Sequence, residues 1–90
     1  MFNFDYDPDK SQRNLDKHGI DFERAQRLWD DPYLYEVPLD SEPEPRWLVV
    51  AALDGKRWSA IITYRDGGIR LISVRRARRG EEALYEDTNH

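Results

Sequence analysis

Apolar positions along the chain follow two periods, and the change from one to the other divides it. Phe22, Ala25, Leu28 and Trp29 recur at helical spacing and predict one apolar helix face. From Arg46 the pattern changes. Arg46 to Leu53 is almost continuously apolar, which predicts a strand covered on both faces. Arg57 to Arg65 runs back, and Ile69 to Arg75 returns. Asp54-Gly55 is a strong tight-hairpin signal, because both turn residues must tolerate positive φ. Asp66-Gly67-Gly68 turns the chain again, so these segments predict an antiparallel meander. Tyr33 to Val37 reads as a further short strand, followed by an acidic, proline-bearing loop over residues 40–45.

The polar residues between the apolar ones mark where helices start and stop. Asp7 suits an N-cap, and Pro8 suits the first helical position, where its missing N–H would be unpaired anyway. Lys17-His18 fall in the last turn, where cations favour a helix C-terminus, and Gly19 follows as a left-handed cap. A helix is therefore predicted over residues 8–18. Asp21 is a second N-cap, with Ile20 placed to staple against Ala25, and Pro32 stops that helix at about Asp30. Residues 81–86 predict a short last helix.

Two helices, then three or four antiparallel strands, then a short helix argue for an α+β domain over residues 1–87, with residues 88–90 frayed. One apolar sheet face is expected under the helices, leaving the other as a working surface. Strand alternation predicts Arg70 and Arg76 on one face of the last strand, and Arg75 with Ser73 on the other.

Composition narrows the classes. Ninety residues, 39% apolar and 36% charged with three Trp, suffice for one thin core. No cysteine is present, which excludes a disulfide framework, a thiolate zinc site and a cysteine nucleophile. The longest nearly apolar run, Trp47 to Leu53, is far short of a membrane span, and the N-terminus lacks a signal-peptide pattern, so a cytoplasmic protein is expected. The net charge of −4 hides a strong asymmetry. Residues 56–79 hold eight basic side chains against Asp66 alone, +7, while the rest of the chain carries −11. Such a chain can offer a basic face to a polyanion while staying acidic elsewhere.

Few residues offer catalytic chemistry. The two histidines, His18 and His90, stand far apart, and no acidic cluster has metal-ligand spacing, so no metal site is predicted and no cofactor is implied. No serine lies in a nucleophile elbow, and no glycine-rich loop precedes a helix. What remains is the arginine-rich stretch. Guanidinium forks match phosphate oxygens in bidentate geometry, and unstacked RNA bases lie on aromatic rings and guanidinium planes. Arg65, Arg70, Arg76, Arg78 and Arg79, with Tyr64, are the RNA-binding candidates, and Tyr85 lies near them. His18 is the one internal residue of the type that changes charge near neutral pH.

Several segments together resemble one family. Phe4-Asp5-Tyr6-Asp7-Pro8-Asp9-Lys10, then Asn14-Leu15-Asp16-Lys17-His18-Gly19-Ile20-Asp21-Phe22, resemble the opening of the BrnT family of bacterial toxins. Trp29-Asp30-Asp31-Pro32, Arg46-Trp47, Ile69 to Ala77 and Glu82-Ala83-Leu84-Tyr85-Glu86 match in order. Arg78 departs from the pattern, standing where the family has a Thr or Ser that would cap the last helix. The resemblance implies a RelE-like fold and a ribonuclease that arrests translation. It also implies a ribbon-helix-helix antitoxin that neutralises the toxin in a hetero-oligomer and contacts operator DNA. A ribonuclease without metal needs the RNA 2′-OH as nucleophile, a group to take its proton, an acid for the leaving oxygen and cations on the phosphate. On this reading His18 is the acid or base, Arg75 clamps the phosphate with Lys17, and Tyr85 positions a base or transfers a proton. Two alternatives use the same arginines: a non-catalytic nucleic-acid-binding or operon-regulatory module, and a pure protein-interaction domain.

Overall fold

The computed structural model describes residues 2–88. The element order is β1 (Phe4–Asp5), α1 (Pro8–His18), α2 (Phe22–Ala25), a 3-10 turn (Gln26–Asp30), β2 (Tyr35–Leu39), β3 (Arg46–Leu53), β4 (Lys56–Arg65), β5 (Gly68–Arg76) and α3 (Arg79–Thr88). The sheet has five strands in the order β1-β5-β4-β3-β2. An α+β architecture with a central meander is thus present.

The helix caps are those the sequence predicts. The Asp7 carboxylate accepts from the Asp9 N–H, the Asp21 carboxylate accepts from the Arg24 N–H, and Gly19 closes α1 at φ 78°. The Asp54-Gly55 turn has positive φ at both residues. The second helix differs: after Ala25 it tightens into the 3-10 turn. Three residues per turn align Ala25 with Leu28, and both are fully buried. Strand β2 begins two residues later than predicted, because the Asp31 carboxylate accepts from the Tyr33 N–H and holds Asp31 to Tyr33 as a turn.

The sheet is mixed, not wholly antiparallel, because β1 pairs in parallel with β5. This two-residue strand has no periodicity to read. It is seated by the Ile69 N–H donating to the Asn3 carbonyl at 2.8 Å. Gly68 permits the approach: a Cβ there would meet the Asn3 carbonyl oxygen at 2.9 Å.

Both sheet faces are covered, though unequally. On one face Val49, Ala51, Ala60, Ile62, Leu71 and Val74 pack under Ile20, Phe22, Ala25 and Leu28. Phe4 meets Trp29 edge-on at 5.0 Å, and Tyr6 meets Phe22 at 5.6 Å. The opposite face is not left free. There Tyr85 of α3 packs with Leu48 and Val50, alongside Tyr35, Val37 and Ile61. Helix α3 also starts two residues before the predicted boundary and reaches Thr88. Of the C-terminal residues expected to fray, Thr88 ends α3, and Asn89 and His90 lie outside the described residues. No helix among the described residues is long and apolar enough to cross a membrane.

One irregularity rearranges the candidate residues. Ile62 pairs with Leu71 but Ile61 pairs with Ser73, so Ile72 is an extra residue in β5. A bulge of this kind reverses the facing of everything beyond it. Arg70 pairs with Thr63 and Arg75 with Ser59, both on the α3 face, while Arg76 pairs with Trp58 on the α1–α2 face. The alternation that grouped Arg70 with Arg76 is therefore wrong.

Candidate functional site

Helix α1 is fixed first, because its far end carries His18. Asn14, on its inner side, is 7% exposed, donates to the Ile20 and Val74 carbonyls at 2.8 Å each, and accepts from the Val74 N–H at 3.1 Å. Ser11 Oγ accepts from the Phe22 N–H at 2.9 Å. With that side anchored, Lys10, Arg13 and Lys17 fall on neighbouring positions of the exposed surface, three and four residues apart.

His18 lies where two open hollows meet. One, of about 440 Å³, is bounded by His18, Arg24, Asp54, Lys56, Trp58 and Arg76. The other, of about 320 Å³, is bounded by Lys10, Arg13, Lys17, His18 and Ser73. The Arg76 guanidinium stands 5.6 Å from the centre of the Trp58 ring. Arg24 is paired with Asp54. Among the described residues, Lys10, Arg13, Lys17, Lys56 and Arg76 have no carboxylate at ion-pair distance. Five cations therefore converge on the two hollows without internal neutralisation.

The α3 face contrasts with this. Arg75 donates through both terminal nitrogens to Glu81, at 2.8 and 2.9 Å. Glu81 also accepts from Ser59 Oγ at 2.9 Å and from the Arg78 N–H at 2.8 Å. The last contact is half of a capping box, in which a glutamate in the first turn reaches back to the cap residue. Glu81 thus supplies the helix start that Arg78 lacks a hydroxyl to make. The Tyr85 hydroxyl donates to Asp31 Oδ2 at 2.5 Å, and the same oxygen accepts from the Ala52 N–H at 2.8 Å. Burial, then the Asp31 hydrogen bond, push the Tyr85 hydroxyl up to about 12. Burial opposes ionisation of Asp31, but the hydrogen bonds from Tyr85, Ala52 and Tyr33 outweigh it and hold its carboxyl below the usual range. Arg57 lies 5.0 Å from the Tyr85 ring centre and pairs with Glu86 at 2.7 Å.

The Arg75 hydrogen bonds, aided by Arg78 and Ser59, outweigh burial and pull Glu81 down to about 2 from an ordinary 4.5. A depressed folded-state pKa gives stability that is complete above the unfolded value and fades as pH falls through the folded one. Acid unfolding is therefore expected to steepen between about pH 4.5 and 2, with up to roughly 3 kcal/mol linked to this carboxylate. Urea titrations at stepped pH measure it, and Glu81→Gln is expected to flatten that part of the profile.

The ten predicted site residues do not form one cluster. Lys17, His18 and Arg76 come together. Arg75 and Tyr85 sit across the sheet and are engaged in holding α3. Arg70 pairs with Asp5 at 2.5 Å, and Arg65 pairs with Glu44 at 3.3 Å. Tyr64 stacks edge-on against Trp47 at 4.8 Å and donates to Glu36; burial and Glu36 push its hydroxyl up to about 12. It stands six residues along β4 from Trp58, about 20 Å away. Arg78 and Arg79 are exposed at the start of α3. The sequence reading missed Lys10, Arg13, Lys56 and Trp58. The spacing of Lys10, Arg13 and Lys17 on a well-capped helix was the available signal for the first two; nothing in the local pattern marks Trp58. Among the described residues, no three His, Asp or Glu side chains gather as a metal site would need.

No curated protein matches the chain. A family model does, over residues 6–81, which takes in α1, the whole meander and the start of α3. Its description is a ribonuclease toxin, BrnT, of type II toxin–antitoxin systems, and the chain belongs to that family.

Proposed function

We propose that the chain is a RelE-like, metal-independent endoribonuclease of the cytoplasm whose chemistry is centred on His18. The observation that carries this is the position of the His18 imidazole on the shared wall of two hollows ringed by unpaired cations. His18 accepts the proton of a ribose 2′-OH as that oxygen attacks the adjacent phosphorus. The P–O5′ bond breaks, leaving a 2′,3′-cyclic phosphate on one fragment and a 5′-OH on the other, whose oxygen takes a proton from Lys17 or water. Arg76 and Lys56 offset the charge that builds on the phosphoryl oxygens. Trp58 is buried beneath Arg76, and the exposed Arg76 guanidinium plane held over its ring offers a surface for an unstacked base. Arg75 and Tyr85 contribute by holding α3 in place.

Destroyed messenger RNA would arrest translation, and such a protein must be restrained. A ribbon-helix-helix antitoxin, forming a hetero-oligomer and itself contacting operator DNA, fits a toxin of this family. The decisive experiment incubates purified protein with RNA in excess EDTA and examines the ends. Cleavage leaving cyclic phosphate and 5′-OH termini is expected, together with growth arrest on induced expression in a bacterium. Loss of cleavage on chelation, restored by Mg²⁺, would overturn the mechanism. Binding without cleavage would favour the non-catalytic module.

A further inference from the structure

The hollow at Lys10, Arg13 and Lys17 adjoins the proposed centre but holds none of the groups assigned to Arg76 and Lys56 there. We propose that this α1 hollow is a second phosphate subsite, which holds the backbone of a longer RNA substrate on one side of the scissile bond. The inference rests on the ribonuclease reading above and adds the form of the substrate to it.

Three observations carry it. First, the cations are held in place and open. Asn14, which borders the hollow itself, and Ser11 anchor the adjoining inner side of α1, whereas Lys10, Arg13 and Lys17 are exposed and have no ion-pair partner among the described residues. Asp16, the nearest acid in sequence to Lys17, accepts instead from Gln12 at 3.1 Å. Second, the spacing suits a polymer. At 1.5 Å per residue, Lys10 and Lys17 lie about 10 Å apart along the helix, room for more than one backbone phosphate. Third, His18 lines both hollows, so an occupant of one continues directly into the other. A small anion would fill a single hollow and leave the remaining cations facing one another. A strand passing His18 neutralises both sets. The arginines of the α3 face offer no comparable surface, since Arg57, Arg65, Arg70 and Arg75 already face carboxylates.

The test uses the full chain and two substrates with a single ribonucleotide, which fixes the cleavage point. One is a dinucleotide; the other carries three further deoxynucleotides on each side. Lys10→Ala/Arg13→Ala is expected to raise KM about tenfold on the long strand, with kcat within twofold, and to move KM on the dinucleotide by less than twofold. Lys10→Arg/Arg13→Lys is expected to restore the long-strand KM. Equal losses on both substrates, or no loss on the long one, would overturn the subsite. A parallel measurement does not need cleavage. Anisotropy of an all-deoxy strand, titrated against salt, is expected to show a slope shallower by about 1.4 in the double alanine variant, 0.7 for each lost contact. An unchanged slope would overturn the subsite. A shallower slope with no cleavage of either substrate by the wild-type chain would support the subsite while refuting the ribonuclease mechanism. A slope that changes equally for an acidic peptide and for the strand would assign the hollow to a protein partner and overturn it.

Discussion

Replacing Asn14 by Ala is expected to cost about 3–5 kcal/mol of folding stability, the largest loss from any polar truncation in this chain. The cause lies in the shortness of β1. It pairs with β5 only at Ile69 and Arg70, so beyond that point β5 presents an open edge. A buried sheet edge must be paired or covered, because each orphaned backbone group costs about 1–3 kcal/mol. The Asn14 carboxamide takes the place of the missing strand. It donates to the Val74 carbonyl at 2.8 Å and accepts from the Val74 N–H at 3.1 Å, while its second N–H satisfies Ile20 at 2.8 Å. Alanine leaves three buried backbone groups without partners. Domains of this size have roughly 0.05–0.15 kcal/mol per residue in hand, so the loss is a large share of the total. Urea unfolding measures it as a lower midpoint with an unchanged slope. Asn14→Asp is expected to be as harmful, because an oxygen would then face two carbonyls. A loss below about 1 kcal/mol would mean that water replaces the carboxamide at the β5 edge.

The same edge explains what could be read in advance and what could not. The α1 caps and the Asp54-Gly55 hairpin depend on local chemistry, and both sit where the sequence puts them. Strand β3 was legible for a similar reason: a long apolar run can only be covered on both sides. Strand β1 was not, because its two residues gain their pairing from Ile69 and Arg70, more than sixty positions away. The bulge at Ile72 mattered most for the site. Strict alternation treats Ile69 to Arg76 as a regular strand, yet the apolar contacts fall on Ile69, Leu71 and Val74, an interval of two and then three. That extra residue sends Arg75 to Glu81 and Arg76 to the His18 hollow. The charge asymmetry announced a basic surface, but not that most of the sheet arginines would be neutralised by carboxylates from other segments. Asp5, Glu44, Glu81 and Glu86 meet their partners only after folding.

His18→Ala is expected to lower RNA cleavage by about 10²–10⁴-fold, the usual share of a positioned general acid or base. That equals roughly 2.7–5.4 kcal/mol on the barrier. The substitution should hardly touch the fold. The imidazole is half-buried in the last turn of α1, and the helix end is held by Gly19, whose N–H donates to the Leu15 carbonyl at 2.9 Å. A stability change within about 1 kcal/mol is expected by urea unfolding. His18→Gln is expected not to restore cleavage, since an amide hydrogen-bonds but does not take up a proton. The informative comparison is Tyr85→Phe. It removes the hydroxyl that donates to Asp31 and should loosen α3, yet it leaves the His18 hollow across the sheet intact. Cleavage within about threefold of wild type is expected for that variant, with a loss of stability of about 1–3 kcal/mol for the hydrogen bond lost to the Asp31 carboxylate, whose Oδ2 then keeps the Ala52 N–H. The opposite result would have His18→Ala active and Tyr85→Phe inactive while still folded. It would move the reacting phosphate to the α3 face, where Arg75 could engage it only by releasing Glu81.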